Sequence, residues 1–197
     1  MDQSVHRFKS LSSVCRAIAS GDMTLAGRLI DREGPDGFEG LGSDQIGESP
    51  VMMALSTGHP GLARKILAAG YEPDFWEASA LNMAGVLHEI ALKRPDILNL
   101  CNAEGWSPMH LACYAHADTV LAVLCEFDAD PNVVACNNTL ETPLHSAVRT
   151  DDPGLIETLL AAGADPRFTD AAGRTPLQLA IELASARAGA ALALASA

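Results

Sequence analysis

The chain has 197 residues, 48% of them apolar and 19% charged, enough to bury a core without a framework of disulfides or a metal. Twenty-five acids against 13 bases leave a formal charge of -12, which disfavours nucleic acid and anionic membrane surfaces because both require surplus Lys and Arg. There is no run of 18 apolar residues, and Arg7, Lys9 and Arg16 interrupt any secretory core; the odd count of five cysteines is expected to mean free thiols in a reducing cytoplasm.

Aromatic residues make up only 5% while Ala and Leu abound, a balance that favours closely packed helices over strands. In chain order, Ala17, Gly21, Leu25, Leu29 and Ile30 match Ala54, Gly58, Leu62, Ile66 and Leu67 at a constant offset of 37, which makes 1–34 a worn opening copy of a repeat. The stretch 35–47 is rich in Gly and acids and is expected to be an extended, mobile loop. Ser49-Pro50-Val51-Met52-Met53-Ala54 opens the next unit, 48–73, which closes on Gly70-Tyr71-Glu72-Pro73.

The unit 74–104 has two readings. Counting back 33 from Ser107 places Asp74 at its start, Phe75 to Gly85 as first helix and Leu87 to Arg94 as second, with the preceding hairpin missing; the rival register puts Ser79 at the cap and Ala84 at the core. Beyond it, Ser107-Pro108-Met109-His110-Leu111-Ala112, Thr142-Pro143-Leu144-His145-Ser146-Ala147 and Thr175-Pro176-Leu177-Gln178-Leu179-Ala180 recur at offsets of 35 and 33 and mark units 105–139, 140–172 and the closing 173–197. Two extra residues near Cys136, Asn137 and Asn138 predict a protruding hairpin tip.

Each unit reads as turn, helix, tight connection, helix. The Ser or Thr is an N-cap and Pro follows at the first helical position, where a missing N–H costs nothing. Gly70 and Gly163 end second helices in the left-handed conformation that a Cβ opposes. No unit can bury its apolar face alone, so units must stack.

These phrases resemble the ankyrin repeat: Thr142 to Ala147 matches its T-P-L-H-x-A residue for residue, and the likeness covers about residues 11 to 194. The resemblance implies an all-α solenoid of about five to six helix-turn-helix units with short hairpin connections, forming one domain over 1–197. It also implies a non-catalytic protein-binding module that needs no cofactor.

His110, Cys113, Cys101 and Cys125 suggest zinc, but His110 matches His145 of the repeat phrase, and the cysteines suit small core positions. His88-Glu89 lacks the second His of a zinc-protease helix, and no nucleophile elbow occurs, so no catalytic or metal residue is assigned. Of Met52, Met53 and Met83, two are expected in the core. In the repeat pattern the residue before each cap and the second residue after the central Ala face the concave side. Those rows read Glu48, Trp106, Glu141, Arg174 and Ser56, Tyr114, Arg149, Glu182. The expected contact residues are Glu48, Glu104, Trp106, Tyr114, Asn138, Glu141, Arg149 and Arg174, with Asp170 on the rim; Trp106 has the second reading of packing on its neighbour's hairpin and stiffening the stack. The partner expected is a protein with a basic patch, bound by a chain that is monomeric when free. Its role is that of an inhibitor or immunity protein, or of an adaptor. An alternative makes the chain the substrate of an asparaginyl hydroxylase at Asn132, whose setting resembles hydroxylated ankyrin asparagines; a lesser alternative is an enzyme or a metal-binding protein.

Overall fold

A computed structural model describes residues 3–42 and 49–195, and among these it is all helical, with no strand. The chain divides into two compact units, Met1–Glu77 and Ala78–Ala197.

In the first unit, α1 (Gln3–Ala19) packs on α2 (Met23–Glu33), and α3 (Pro50–Ser56) on α4 (Pro60–Ala68). The starts of these helices follow local chemistry: Asp22 accepts from the Leu25 N–H at 2.8 Å, and Ser49 from Met52 at the same distance, ahead of Pro50. Leu11, Val14, Ile18, Ala26, Val51, Ala54 and Ile66 are its buried core.

The expected extended, mobile loop is corrected over 35–42, where the chain forms turns anchored by its two apolar residues. Phe38 is fully buried and its N–H donates to the Ala69 carbonyl at 2.7 Å, while Leu41 accepts from the Glu72 N–H at 2.9 Å. Burying Phe38 offsets the ordering cost that a polar Gly-rich segment could not meet. Two of the flanking acids are engaged as well, Asp31 with Lys65 at 2.8 Å and Glu39 with Arg7 at 3.5 Å. Asp44 and Glu48 lie outside the described residues.

Helix α5 (Phe75–Ala80) starts after Asp74, whose carboxylate accepts from the Glu77 N–H at 2.8 Å. This is the register counted back 33 from Ser107; Ser79 lies inside the helix rather than at its start. The expected helix bounds are corrected, because α5 ends at Ala80, Asn82 turns the chain with φ 54°, and α6 runs Ala84–Lys93. A 3-10 turn at Pro95–Ile97 follows.

In the second unit, α7 (Pro108–Tyr114) and α8 (Asp118–Glu126), α9 (Pro143–Arg149) and α10 (Pro153–Ala161), and α11 (Pro176–Glu182) and α12 (Ala186–Ala195) form successive helix–turn–helix pairs. Ala112, Ala147 and Ala180 are at most 1% exposed, and Val120, Leu124, Leu155 and Leu159 fill the space around them. Every helix–helix turn carries one left-handed residue: Gly21, Gly58, Asn82, His116, Asp151 and Ala184. Gly70 and Gly163, with φ 89° and 96°, close α4 and α10 as expected. The three methionines Met52, Met53 and Met83 are all half-buried; the fully buried methionine is Met109.

Candidate protein-contact site

The caps that start the first helices also tie one repeat to the next. His110 is fully buried and accepts at Nδ1 from the Ser107 hydroxyl at 2.7 Å, so its Nε2–H donates to the Glu141 carbonyl at 2.9 Å. His145 repeats the arrangement with the Thr142 N–H at 3.2 Å and the Arg174 carbonyl at 2.9 Å. Burial drives the His110 pKa down to about 4 and also lowers that of His145, so both rings are neutral spacers. Gln178 takes their place in the last repeat, where its carbonyl oxygen accepts from the Thr175 N–H at 2.9 Å.

These ties hold Glu141 and Arg174 by their carbonyls, and in the second unit each residue before a cap at Ser107, Thr142 and Thr175 meets the one eight positions on. Trp106 packs edge-on against Tyr114, ring centroids 5.2 Å apart, and lies 5.6 Å from His110. Glu141, 1% exposed, is gripped by Arg149 through Nε at 3.0 Å and through Nη2. Arg174 reaches Glu182 at 2.9 Å and also Asp170. The Tyr114 hydroxyl donates to Glu141 at 3.1 Å and so joins the aromatic pair to the ion pair; burial and then that carboxylate push its pKa up to about 12. Trp106, Tyr114, Glu141, Arg149 and Arg174 are thus brought into one row within the second unit. Trp106 is half-buried, and its ring partners Tyr114 and His110 belong to its own repeat rather than to the neighbouring hairpin of the bracing reading.

Glu104 and Asn138 are exposed at neighbouring hairpin tips. The tip carrying Asn138 does not stand clear as expected: Asn137 donates to the Glu104 carbonyl at 3.1 Å and the Cys136 N–H to the Gly105 carbonyl at 2.8 Å. Asp170 is corrected from rim to structure. It is 5% exposed and accepts from the Ala172 and Arg174 N–H groups, both at 2.9 Å, and although burial opposes its charge, Arg174 and these bonds hold its pKa below the usual range. Asn132 uses both ends of its amide between repeats, on Gly163 at 3.1 Å and Asp165 at 2.7 Å.

The expectation of five free thiols is corrected. Cys101 and Cys136 form a disulfide with Cα atoms 6.2 Å apart, and Cys15, Cys113 and Cys125 are in no disulfide. With Cys101 bonded and both nitrogens of His110 occupied, the imagined zinc ligands are not assembled. The missed signal was in the repeat itself, because Cys101-Asn102 and Cys136-Asn137 are the same dipeptide 35 residues apart, the local repeat offset. A second missed group is Glu77, the counterpart of His110 at an offset of 33. It is fully buried and accepts from Tyr71 at 2.9 Å, from the Asp74 N–H at 2.8 Å and from Ser49; burial and then the Asp74 charge push its pKa up to about 7.

A family model described as ankyrin repeats (3 copies) matches residues 75–170. The chain is similar to NF-kappa-B inhibitor alpha of Rattus norvegicus, 42% identical over 81 residues, which is 40% of this chain and 26% of that protein. The mouse protein of the same name is 56% identical over 46 residues, 23% of this chain and 15% of that one. Neurogenic locus notch homolog protein 1 of Danio rerio is 32% identical over 159 residues, 79% of this chain and 6% of that protein. The chain spans about a quarter or less of the length of these relatives.

Proposed function

The chain is an ankyrin-repeat protein, and from that premise we propose that it binds a partner protein through the row built on Trp106, Tyr114, Glu141, Arg149 and Arg174, without performing catalysis. The observation that carries this reading is the constant placement of an aromatic pair and two ion pairs on successive repeats beside the exposed tips at Glu104 and Asn138. Trp, Tyr and Arg supply most of the energy of protein interfaces when they are held rigidly, and here each is held by a neighbour eight residues along. Glu48, which lies outside the described residues, is proposed as a contact residue by its sequence position before Ser49 alone.

The partner is proposed to carry a basic patch. Arg94, Arg149, Arg167 and Arg174 are each closed onto a nearby carboxylate, so the net charge of -12 is left to the remaining acids. Such a field steers association more than it holds the complex. A cytoplasmic protein, monomeric when free, fits this reading, and the partner is either inhibited or tethered; a relative named as an inhibitor supports the first role.

The test is capture from the native source on immobilised full-length chain, with Trp106→Ala beside the wild type. A specific partner should bind the variant about thirtyfold or more weaker, a loss of ~2 kcal/mol, while Arg167→Ala, an exposed control, changes little. Melting is measured on the same samples, since Trp106 also braces its repeat. Normal binding by both Trp106→Ala and Arg149→Ala would sink the assignment.

A further inference from the structure

The second unit holds a covalent link that the packing of ankyrin repeats does not need. The geometry points to Cys101 and Cys136 as a reversible thiol switch that clamps two consecutive hairpins together beside the proposed contact row.

Cys101 and Cys136 precede Asn102 and Asn137, and each Asn builds the turn of its own hairpin. Asn102 accepts from the Glu104 and Trp106 N–H groups at 3.1 and 2.9 Å, and Asn137 accepts from Thr139 at 3.0 Å. The third hairpin has Asp170 in the same role, with Thr169 where the first two have Cys. The turn that the hairpin needs is therefore made by Asn or Asp, and the Cys in front of it is free to do something else. Stacking puts equivalent positions of adjacent repeats side by side, and the Cα separation of 6.2 Å lies within the range a disulfide spans without backbone movement.

Access separates this pair from Cys15 and Cys113. Cys136 is exposed and Cys101 half-exposed, whereas Cys15 and Cys113 are buried, and burial raises the Cys113 pKa far out of the reactive range. The oxidant is a low-molecular-weight disulfide of the glutathione class. The Cys136 thiolate attacks one sulfur and expels the first small thiolate; the Cys101 thiolate then attacks the Cys136 sulfur of the mixed disulfide and expels the second. One S–S bond breaks and one forms. Two protein thiols are oxidised, one small disulfide is reduced to two thiols, and the two protons pass to the products. Closure fixes Trp106 and Glu141, which follow the two half-cystines by five residues each, at one separation. Reduction leaves that spacing to hydrogen bonds such as Cys136 N–H to Gly105 at 2.8 Å.

The experiment equilibrates the reduced full-length chain in glutathione buffers of rising oxidised fraction, blocks remaining thiols by alkylation and cleaves after glutamate. That cleavage places Cys101 on peptide 90–104, Cys113 and Cys125 on 105–126, and Cys136 on 127–141. The expected product is 90–104 joined to 127–141, two hydrogens lighter than the sum of the thiols, with Cys15 and Cys113 alkylated only after unfolding. The oxidised chain should melt about 5–10 °C above the reduced one, because closing a 35-residue loop restrains the unfolded chain. Cys136→Ser should abolish the redox-dependent difference and Cys125→Ser should preserve it. Alkylation of Cys101 and Cys136 across the whole series, linkage to Cys125 with equal yield, or identical melting of linked and reduced chains would each overturn the switch. None of these readouts depends on a partner, so the outcome is separate from that of the proposed function.

Discussion

Arg149 closes on Glu141 from eight residues along the chain, and one repeat later Arg174 and Glu182 make the same contact with the charges exchanged. The two pairs differ in solvent. Glu141 is 1% exposed, whereas the Glu182 side chain is 57% exposed. A double-mutant cycle on Arg149 and Glu141 should give a coupling of about 2 kcal/mol, because losing the guanidinium strands a buried carboxylate. The same cycle on Arg174 and Glu182 should stay within ~1 kcal/mol and shrink in salt. Equal couplings in urea unfolding would show that burial of Glu141 does not govern the first pair.

Ala147 stands where neighbouring helices touch and is fully buried. Ala147→Leu should lower stability by about 1–3 kcal/mol through overpacking, read as a lower thermal midpoint. A variant that melts with the wild type would contradict the close helix approach at this position.

Gly105 and Gly173 hold equivalent hairpin positions, with φ 83° and 74°. A Cβ on Gly105 would lie 2.7 Å from Asn137 Cβ and 2.8 Å from its backbone N; on Gly173 it would meet nothing within 4 Å. Both Gly→Ala changes carry the left-handed penalty of about 1 kcal/mol, but only Gly105→Ala must also push a neighbouring hairpin aside. Gly105→Ala is expected to lose at least twice as much stability as Gly173→Ala in denaturant melts. Leu140, at the same position with φ 50°, shows that the conformation alone does not demand glycine.

Acid and base act oppositely on the two units. The native first unit keeps a proton on Glu77 between pH 4.5 and about 7, where the unfolded chain has released it, so that contribution is full below pH 4.5 and is lost as pH rises through about 7. His110 is held neutral down to about 4 against an ordinary 6.5, so its contribution is full above 6.5 and is lost as pH falls through about 4. Each has a ceiling of ~3 kcal/mol. Melts across this range should show Glu77→Gln flattening the loss at rising pH and His110→Gln, which copies Gln178, flattening the loss at falling pH. A Glu77→Gln chain with the wild-type pH profile would rule out the buried carboxylate as its source.

The repeat grammar was legible in the sequence because it is local chemistry. Ser49, Ser107, Thr142 and Thr175 cap helices wherever they stand, the prolines after them suit a first turn, and left-handed Gly70 and Gly163 end second helices. The same period puts Trp106, Glu141 and Arg174 at equivalent positions of successive units. What it could not give was each group's neighbour in the adjacent repeat. Phe38 turned a polar segment into packed turns once Ala69 lay within reach, Asp170 sank from the rim into its own hairpin, and Glu77 found Ser49 rather than solvent. Cys101 and Cys136 follow the same logic, since a 35-residue interval is only a number until stacking brings the two Cα atoms to 6.2 Å. Caps and turns act within a few residues of sequence, while burial, pairing and steric room at Gly105 depend on what another repeat places there, and only the tertiary structure decided those.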